Sequence, residues 1–96
     1  MPYVGSDEEI ILPRRVDAST APRVRARLHA ALAERAGDQV VLDLADVQSL
    51  DDVGLGVLLG AHLAAREQGR SLVLRNIPDR VAGVLYATRL HRVLVA

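Results

Sequence analysis

The residues best suited to chemistry are four aspartates near the middle of the chain. Asp43 and Asp46 follow an apolar run, and Asp51 and Asp52 form an adjacent pair. Carboxylates this close together could bind a divalent cation or act as a general acid and base. The alternative is structural, because aspartates commonly begin turns and cap helices. We favour that alternative, with Asp46 beginning a turn and Asp52 capping a helix.

Three glycines and three histidines are weaker candidates. Gly54, Gly56 and Gly60 suggest a dinucleotide loop, but their spacing is G-x-G-x-x-x-G rather than G-x-G-x-x-G. A tight turn and a close helix approach explain the glycines better. The histidines have no partner at i+4, so we predict surface or boundary positions for His29, His62 and His91. We therefore predict no catalytic residue, no metal site and no cofactor.

Composition excludes several classes of function. The 96 residues favour one domain, and 12 acidic residues balance 12 basic ones, all of them arginine. Without lysine there is no Walker A loop and no receiver-domain site at Asp43, and without cysteine there is no thiolate chemistry. Zero net charge and only two aromatic residues argue against nucleic-acid binding. No apolar run reaches membrane-spanning length, so we expect no membrane insertion and a cytoplasmic protein.

Alternating strands and helices must position these residues. We predict strands at residues 8–12, 40–44, 71–74 and 92–95. We predict helices that begin at a Thr20 cap, near residue 53 and near Asp79. Residues 14–19 should form a turn, and residues 1–7 either a frayed end or a stunted edge strand. This order indicates an α/β layer fold with parallel pairings.

The helix over residues 53–68 is predicted to have two distinct faces. The face packed on the sheet should carry Leu55, Leu58, Leu59 and His62, with Leu63 at its edge. The other face is small and mildly apolar, and comprises Val57, Gly60, Ala61 and Ala64, with Gly56 at its border. We predict that this second face is exposed and binds a partner. The alternative is that it packs against another part of the chain, such as the last helix.

Three segments, taken in order, resemble the STAS domains of bacterial anti-sigma factor antagonists. They are VDASTAPRVRARL, VVLDLADVQSLDDVGLGVLLGAH and LVLRNIPDRVAGVLYATRLHRVL. The resemblance implies one compact domain over residues 1–96, with a mixed sheet of four or five strands packed with three main helices. It implies no enzymatic activity. It also implies that the central helix docks on an anti-sigma factor of the serine-kinase type, which phosphorylates a serine at the helix start and thereby breaks the complex.

The chain departs from the family motif D-S-S/T/A-G-L-G at that serine. The corresponding residues are Asp51, Asp52, Val53, Gly54, Leu55 and Gly56. Asp52 therefore occupies the phosphoacceptor position, and no hydroxyl lies between Ser49 and Ser71. A carboxylate carries about one negative charge against ~1.5–2 for a phosphate. Either Asp52 imitates phosphoserine imperfectly, or the protein belongs to a branch that never used the switch.

Two hypotheses of different classes follow. One is a regulatory antagonist that binds an anti-sigma kinase through the helix that starts near Asp52. The other is a non-switching structural subunit, as in a lipid-transport ATPase assembly or a stress-sensing particle. A small nucleotide-binding or ligand-binding module is a weaker third. A short first strand would also leave a sheet edge for a partner or a second copy to cover, so a homodimer stays open.

Overall fold

The computed structural model describes residues 9–88, which form three helices and five short strands around one hydrophobic core. In chain order the elements are β1 (Ile10–Ile11), β2 (Arg15–Val16), α1 (Ala21–Glu34), β3 (Gln39–Asp43), β4 (Ser49–Leu50), α2 (Asp52–Glu67), β5 (Ser71–Arg75) and α3 (Asp79–Ala87). The α/β prediction with three helices is confirmed. The predictions for residues 1–7 and 92–95 lie outside the described residues.

The main sheet has the strand order β1-β3-β5, and each described pairing in it is parallel. Val40 lies opposite Leu72 and Leu42 opposite Leu74, while Ile10 of the edge strand also lies opposite Leu42. All five side chains are buried. Parallel strands require long crossover connections, and helices supply them here. As a result, α2 runs back from the carboxyl ends of the strands toward the start of β5.

A second, two-stranded ladder pairs β2 with β4, also in parallel. We predicted a turn where β2 forms and no strand where β4 forms. Two residues are too few to show the alternation that identifies a strand in sequence. Because β2 leads into α1 and β4 leads into α2, this ladder brings the N-termini of the two helices side by side.

Thr20 lies at the N-cap position of α1, as predicted, but the carboxylate of Asp17 and not the Thr20 side chain holds the turn before this helix. Asp17 accepts hydrogen bonds from the Ser19 hydroxyl at 2.6 Å and from the Ser19 and Thr20 backbone N–H groups at 2.9 and 3.2 Å. The Ser19 hydroxyl contributes most to lowering the pKa of Asp17 to about 2, with Arg15 adding to it. Thr20 occupies the N-cap position, but its hydroxyl donates to the Arg15 carbonyl at 2.8 Å.

The first turn of α2 approaches the backbone of β2 very closely at Gly54. A Cβ atom on Gly54 would collide with the carbonyl oxygen of Val16, and it would lie 2.9 Å from the Leu50 Cδ1 atom. Side-chain atoms do not approach a backbone so closely, so only glycine fits at this position. The close-approach interpretation is therefore confirmed for Gly54.

We predict that Gly54→Ala lowers the free energy of unfolding by about 3 kcal/mol, because the Val16 backbone must move to accept the methyl group. Gly83→Ala is the matched control, since a Cβ on Gly83, which lies in α3, would meet nothing within 4 Å. That control should raise stability by roughly 0.5–1 kcal/mol through helix propensity. Urea denaturation measures both changes. Equal stability of Gly54→Ala and the wild type would contradict the close approach.

Candidate functional site

The candidate site is built around Asp51, which connects β4 to α2. Its Oδ1 atom accepts a hydrogen bond from the Gly54 backbone N–H at 2.9 Å, so Asp51 caps α2. Its Oδ2 atom accepts one from the Ala18 backbone N–H at 3.3 Å, in the turn before α1. The Asp51 backbone N–H also donates to the Val16 carbonyl at 3.3 Å. One side chain therefore fixes the start of α2 against the start of α1.

Asp52 is not the helix cap, and the prediction of that role is wrong. It is the first residue of α2 and its side chain is exposed. Within residues 9–88 that side chain makes no hydrogen bond or ion pair. The capping role went to Asp51 because the extended backbone at Asp51 directs its carboxylate back to the first turn. The Asp52 carboxylate is left as a solvated negative charge at the positive end of the helix dipole.

The predicted exposure of the small-residue face is wrong for two of its four members. Val57 is 3% exposed and Ala61 8% exposed, because α1 packs against this side of α2. Gly60 is exposed and Ala64 is half-buried. The alternative, that this face packs within the chain, holds for Val57 and Ala61, with α1 rather than the last helix as the neighbour. An arginine at Ala61 would therefore disturb the packing between the helices.

The exposed side of α2 is a narrow apolar stripe that begins beside Asp52. Val53 is 43% exposed and Leu63 is 52% exposed, while Leu55 and Leu58 are buried as predicted and Leu59 is half-buried. The α2 stripe comprises Val53, Gly56, Gly60 and Leu63, spaced three or four residues apart along one face. Exposed helix faces usually carry charged side chains, so this stripe is unusual for a surface.

Among the described residues, no close contact requires glycine at either glycine position of the α2 stripe. A Cβ atom on Gly56 or Gly60 would meet nothing within 4 Å. Each glycine inside a helix lowers stability by about 1 kcal/mol relative to alanine. The fold alone would therefore favour alanine at both positions, in contrast to Gly54.

A groove of about 80 Å³ runs between α1 and α2. Its floor is made of buried side chains, namely Leu28, Leu32, Val57 and Ala61. Its rim is exposed and consists of Arg25 and His29 on α1 and of Gly56 and Gly60 on α2. We call this feature the α1–α2 groove. It is far smaller than typical cofactor sites, which have volumes of about 300–1,000 Å³.

The other candidate residues are dispersed or have structural partners. Asp43 accepts hydrogen bonds from the Ala45 backbone N–H at 2.9 Å and from Asn76 Nδ2 at 3.2 Å, and Asp46 lies exposed in the turn that follows. His62 is half-buried, and its Nδ1 atom has no hydrogen-bond partner in the described part of the chain. His91 lies outside the described residues. Between residues 9 and 88, no three acidic or histidine side chains group as metal ligands, and no helix could cross a membrane.

We predict that Asp51→Ala lowers the free energy of unfolding by about 1–2 kcal/mol, because two backbone N–H groups lose their acceptor. Asp51→Ser should recover most of that loss, since serine is an effective cap. Asp52→Ala is the control, and it should change stability by less than about 0.5 kcal/mol. Chemical denaturation monitored by circular dichroism measures all three variants. A larger loss for Asp52→Ala than for Asp51→Ala would reverse the two assignments.

Comparison with known proteins places this geometry in a family. The sequence profile described as "Mlab, STAS domain" matches residues 5–96. An anti-sigma-B factor antagonist of Listeria monocytogenes is 31% identical over 86 residues, which cover 90% of this chain and 75% of that protein. The anti-sigma-B factor antagonist of Bacillus subtilis is 32% identical over 89 residues, covering 93% of this chain and 80% of that protein.

Two more distant proteins are also similar. An anti-sigma F factor antagonist of Paenibacillus polymyxa is 26% identical over 83 residues, covering 86% of this chain and 71% of that protein. The NMR structure of the protein TM1081 has a TM-score of 0.74 and 21% sequence identity, covering 88% of this chain and 67% of that one. That structure supports the fold alone. With the profile match and the two relatives above 30% identity, the chain belongs to the STAS domain family.

Proposed function

We propose that this protein is a regulatory module of bacterial partner switching that binds an anti-sigma factor of the serine-kinase type. The observation that carries the proposal is the start of α2, where the carboxylate of Asp52, unpaired within residues 9–88, adjoins the exposed apolar α2 stripe. The relatives that are called anti-sigma factor antagonists support the choice of partner. The proposal takes residues 1–96 as one module, assigns no catalytic residue, and places the protein in the cytoplasm with the transcription machinery.

The α2 stripe has the properties that a docking surface requires. Val53 and Leu63 supply apolar area at its two ends, and burying exposed apolar area is the main favourable term in association. Gly56 and Gly60 between them leave room for a partner backbone to approach. Of the four residues predicted from sequence to bind a partner, Gly60 belongs to the α2 stripe and Ala64 lies at its border. Val53, Gly56 and Leu63 replace Val57 and Ala61, which α1 covers.

Asp52 gives the surface a fixed negative charge where switching relatives would carry a serine. No hydroxyl is available at Asp52 or Val53, so a serine kinase has no acceptor in the first turn of α2. The carboxylate holds about one charge and two oxygens where a phosphate would hold ~1.5–2 charges and three oxygens. Asp52 therefore has the same sign of charge as a phosphoserine, but its negative charge is smaller. We infer reduced affinity for the anti-sigma factor, not its abolition.

We predict that Asp52→Ser tightens binding to the anti-sigma factor about fivefold, because it removes an unfavourable charge contact of roughly 1 kcal/mol. The variant should also gain one phosphate when ATP is present, whereas the wild type gains none. Binding is measured by calorimetry with purified anti-sigma factors from the same genome, without and with ATP, and phosphate by mass spectrometry.

Asp38→Ser is the matched control for charge, because Asp38 is exposed and precedes β3, at the opposite end of α2 from Asp52. It should leave affinity unchanged. Phosphate found on Ser49 of the wild type would contradict the prediction that the wild type is not phosphorylated. If Asp52→Ser and Asp38→Ser both bind more tightly, the gain in affinity comes from net charge and not from position 52.

The second candidate function is a non-switching subunit of a larger complex, such as a lipid-transport ATPase assembly. Two observations favour it: position 52 lacks a hydroxyl, and the matching profile carries the description "Mlab, STAS domain". In such a complex Asp52→Ser would change neither affinity nor phosphorylation. Neighbouring genes separate the two functions, since a sigma factor and a kinase favour the first and transporter subunits favour the second.

A further inference from the structure

The α1 wall of the α1–α2 groove carries an arginine, Arg25, that no carboxylate in the described part of the chain pairs with. Arg25 and His29 are exposed on its α1 side. Between residues 9 and 88, neither side chain makes an ion pair or a hydrogen bond to another residue. Residues 36–65, which include the opposite wall, contain five aspartates and no arginine. Even so, no carboxylate of these residues lies within 4.0 Å of Arg25.

The opposite wall of the groove carries two glycines that no close contact within residues 9–88 requires. Gly56 and Gly60 face open space, and an alanine at either position would favour the helix. Their effect is to leave the apolar floor of the groove accessible beside Arg25. The groove holds about 80 Å³, which suits one or two side chains and is too small for a cofactor.

We infer that the α1–α2 groove receives an acidic segment of the partner protein, with an apolar side chain on its floor and a carboxylate at Arg25. The inference rests on the proposed function and extends the partner surface from the α2 stripe onto α1. An arginine guanidinium and a carboxylate form strong charge-assisted hydrogen bonds. The floor of the groove is apolar, and a sugar–phosphate backbone has no apolar side chain to place there, so an acidic protein segment fits this site better than a nucleic acid.

Two charges of opposite sign on this surface restrict which partner segment can enter the groove. Asp52 lies at the first turn of α2, and Arg25 lies across the groove from Gly56. A partner that places a carboxylate at Arg25 and keeps its acidic groups away from Asp52 is held in one orientation. Such charge patterns fix register and exclude wrong partners more than they raise affinity. Arg25 is therefore a specificity residue, not a switch residue.

The first test compares Arg25→Glu with Arg27→Glu, using the full chain and purified anti-sigma factors from the same genome. Both residues are exposed on α1, but Arg27 lines a different hollow, beside Pro13 and Thr20. Arg25→Glu should raise Kd at least about tenfold, which is about 1.4 kcal/mol, and Arg27→Glu less than about threefold. Raising the salt from about 50 mM to about 500 mM should shrink the effect of Arg25→Glu.

The second test compares Gly60→Ala with Gly83→Ala, which each add one methyl group to an exposed helix position. Both should raise the midpoint of thermal unfolding, and only Gly60→Ala should weaken binding, by about threefold to tenfold, because its methyl group enters the groove. A variant that is more stable and binds less well cannot owe its lost affinity to misfolding.

The outcomes separate this inference from the proposed function. If the wild type binds an anti-sigma factor but Arg25→Glu and Arg27→Glu weaken binding equally, the groove assignment fails and the proposed function stands. If no anti-sigma factor binds the wild type, both fail. If sedimentation shows a dimer of this chain that Arg25→Glu dissociates, the occupant is a second copy and the inference is overturned.

Discussion

The contact on which the rest of this structure depends is the approach of Gly54 to the backbone of Val16. It sets the distance between α2 and the short ladder of β2 and β4, and no side chain other than hydrogen fits there. Asp51 secures the same corner by accepting hydrogen bonds from Gly54 in α2 and from Ala18 in the turn before α1. Steric necessity and hydrogen bonding therefore act on the same corner.

At that corner, two adjacent aspartates have different roles, because Asp51 caps α2 and Asp52 is exposed. Asp51 is committed to the fold, since both of its carboxylate oxygens accept backbone hydrogen bonds. Asp52 follows it as the first residue of α2, and its side chain is exposed. The two residues look equivalent in sequence, but the extended conformation at Asp51 makes only that residue a cap. A change at Asp52 should therefore alter stability much less than a change at Asp51.

Much of this architecture could be predicted from local patterns, and the errors arise where distant elements meet. The long strands, the bounds of α2 and the acidic pair at its start follow from periodicity and capping. The burial of Val57 and Ala61 does not, because it depends on α1, which no numbering of α2 alone can place. The groove wall at Arg25 was missed for the same reason. The sequence does not distinguish Gly54, Gly56 and Gly60. Among the three, only position 54 requires glycine on steric grounds within the described residues.

The isolation of Asp52 also limits how any regulation at this position can act. A charge change acts at a distance when it biases an element that has two arrangements. Among the described residues the Asp52 side chain makes no hydrogen bond or ion pair to such an element, and the cap of α2 belongs to Asp51. A serine, a phosphoserine and an aspartate at position 52 would then leave the same fold beneath them. Under the proposed function, regulation at this position acts directly, through the charge that a partner meets when it docks on the α2 stripe.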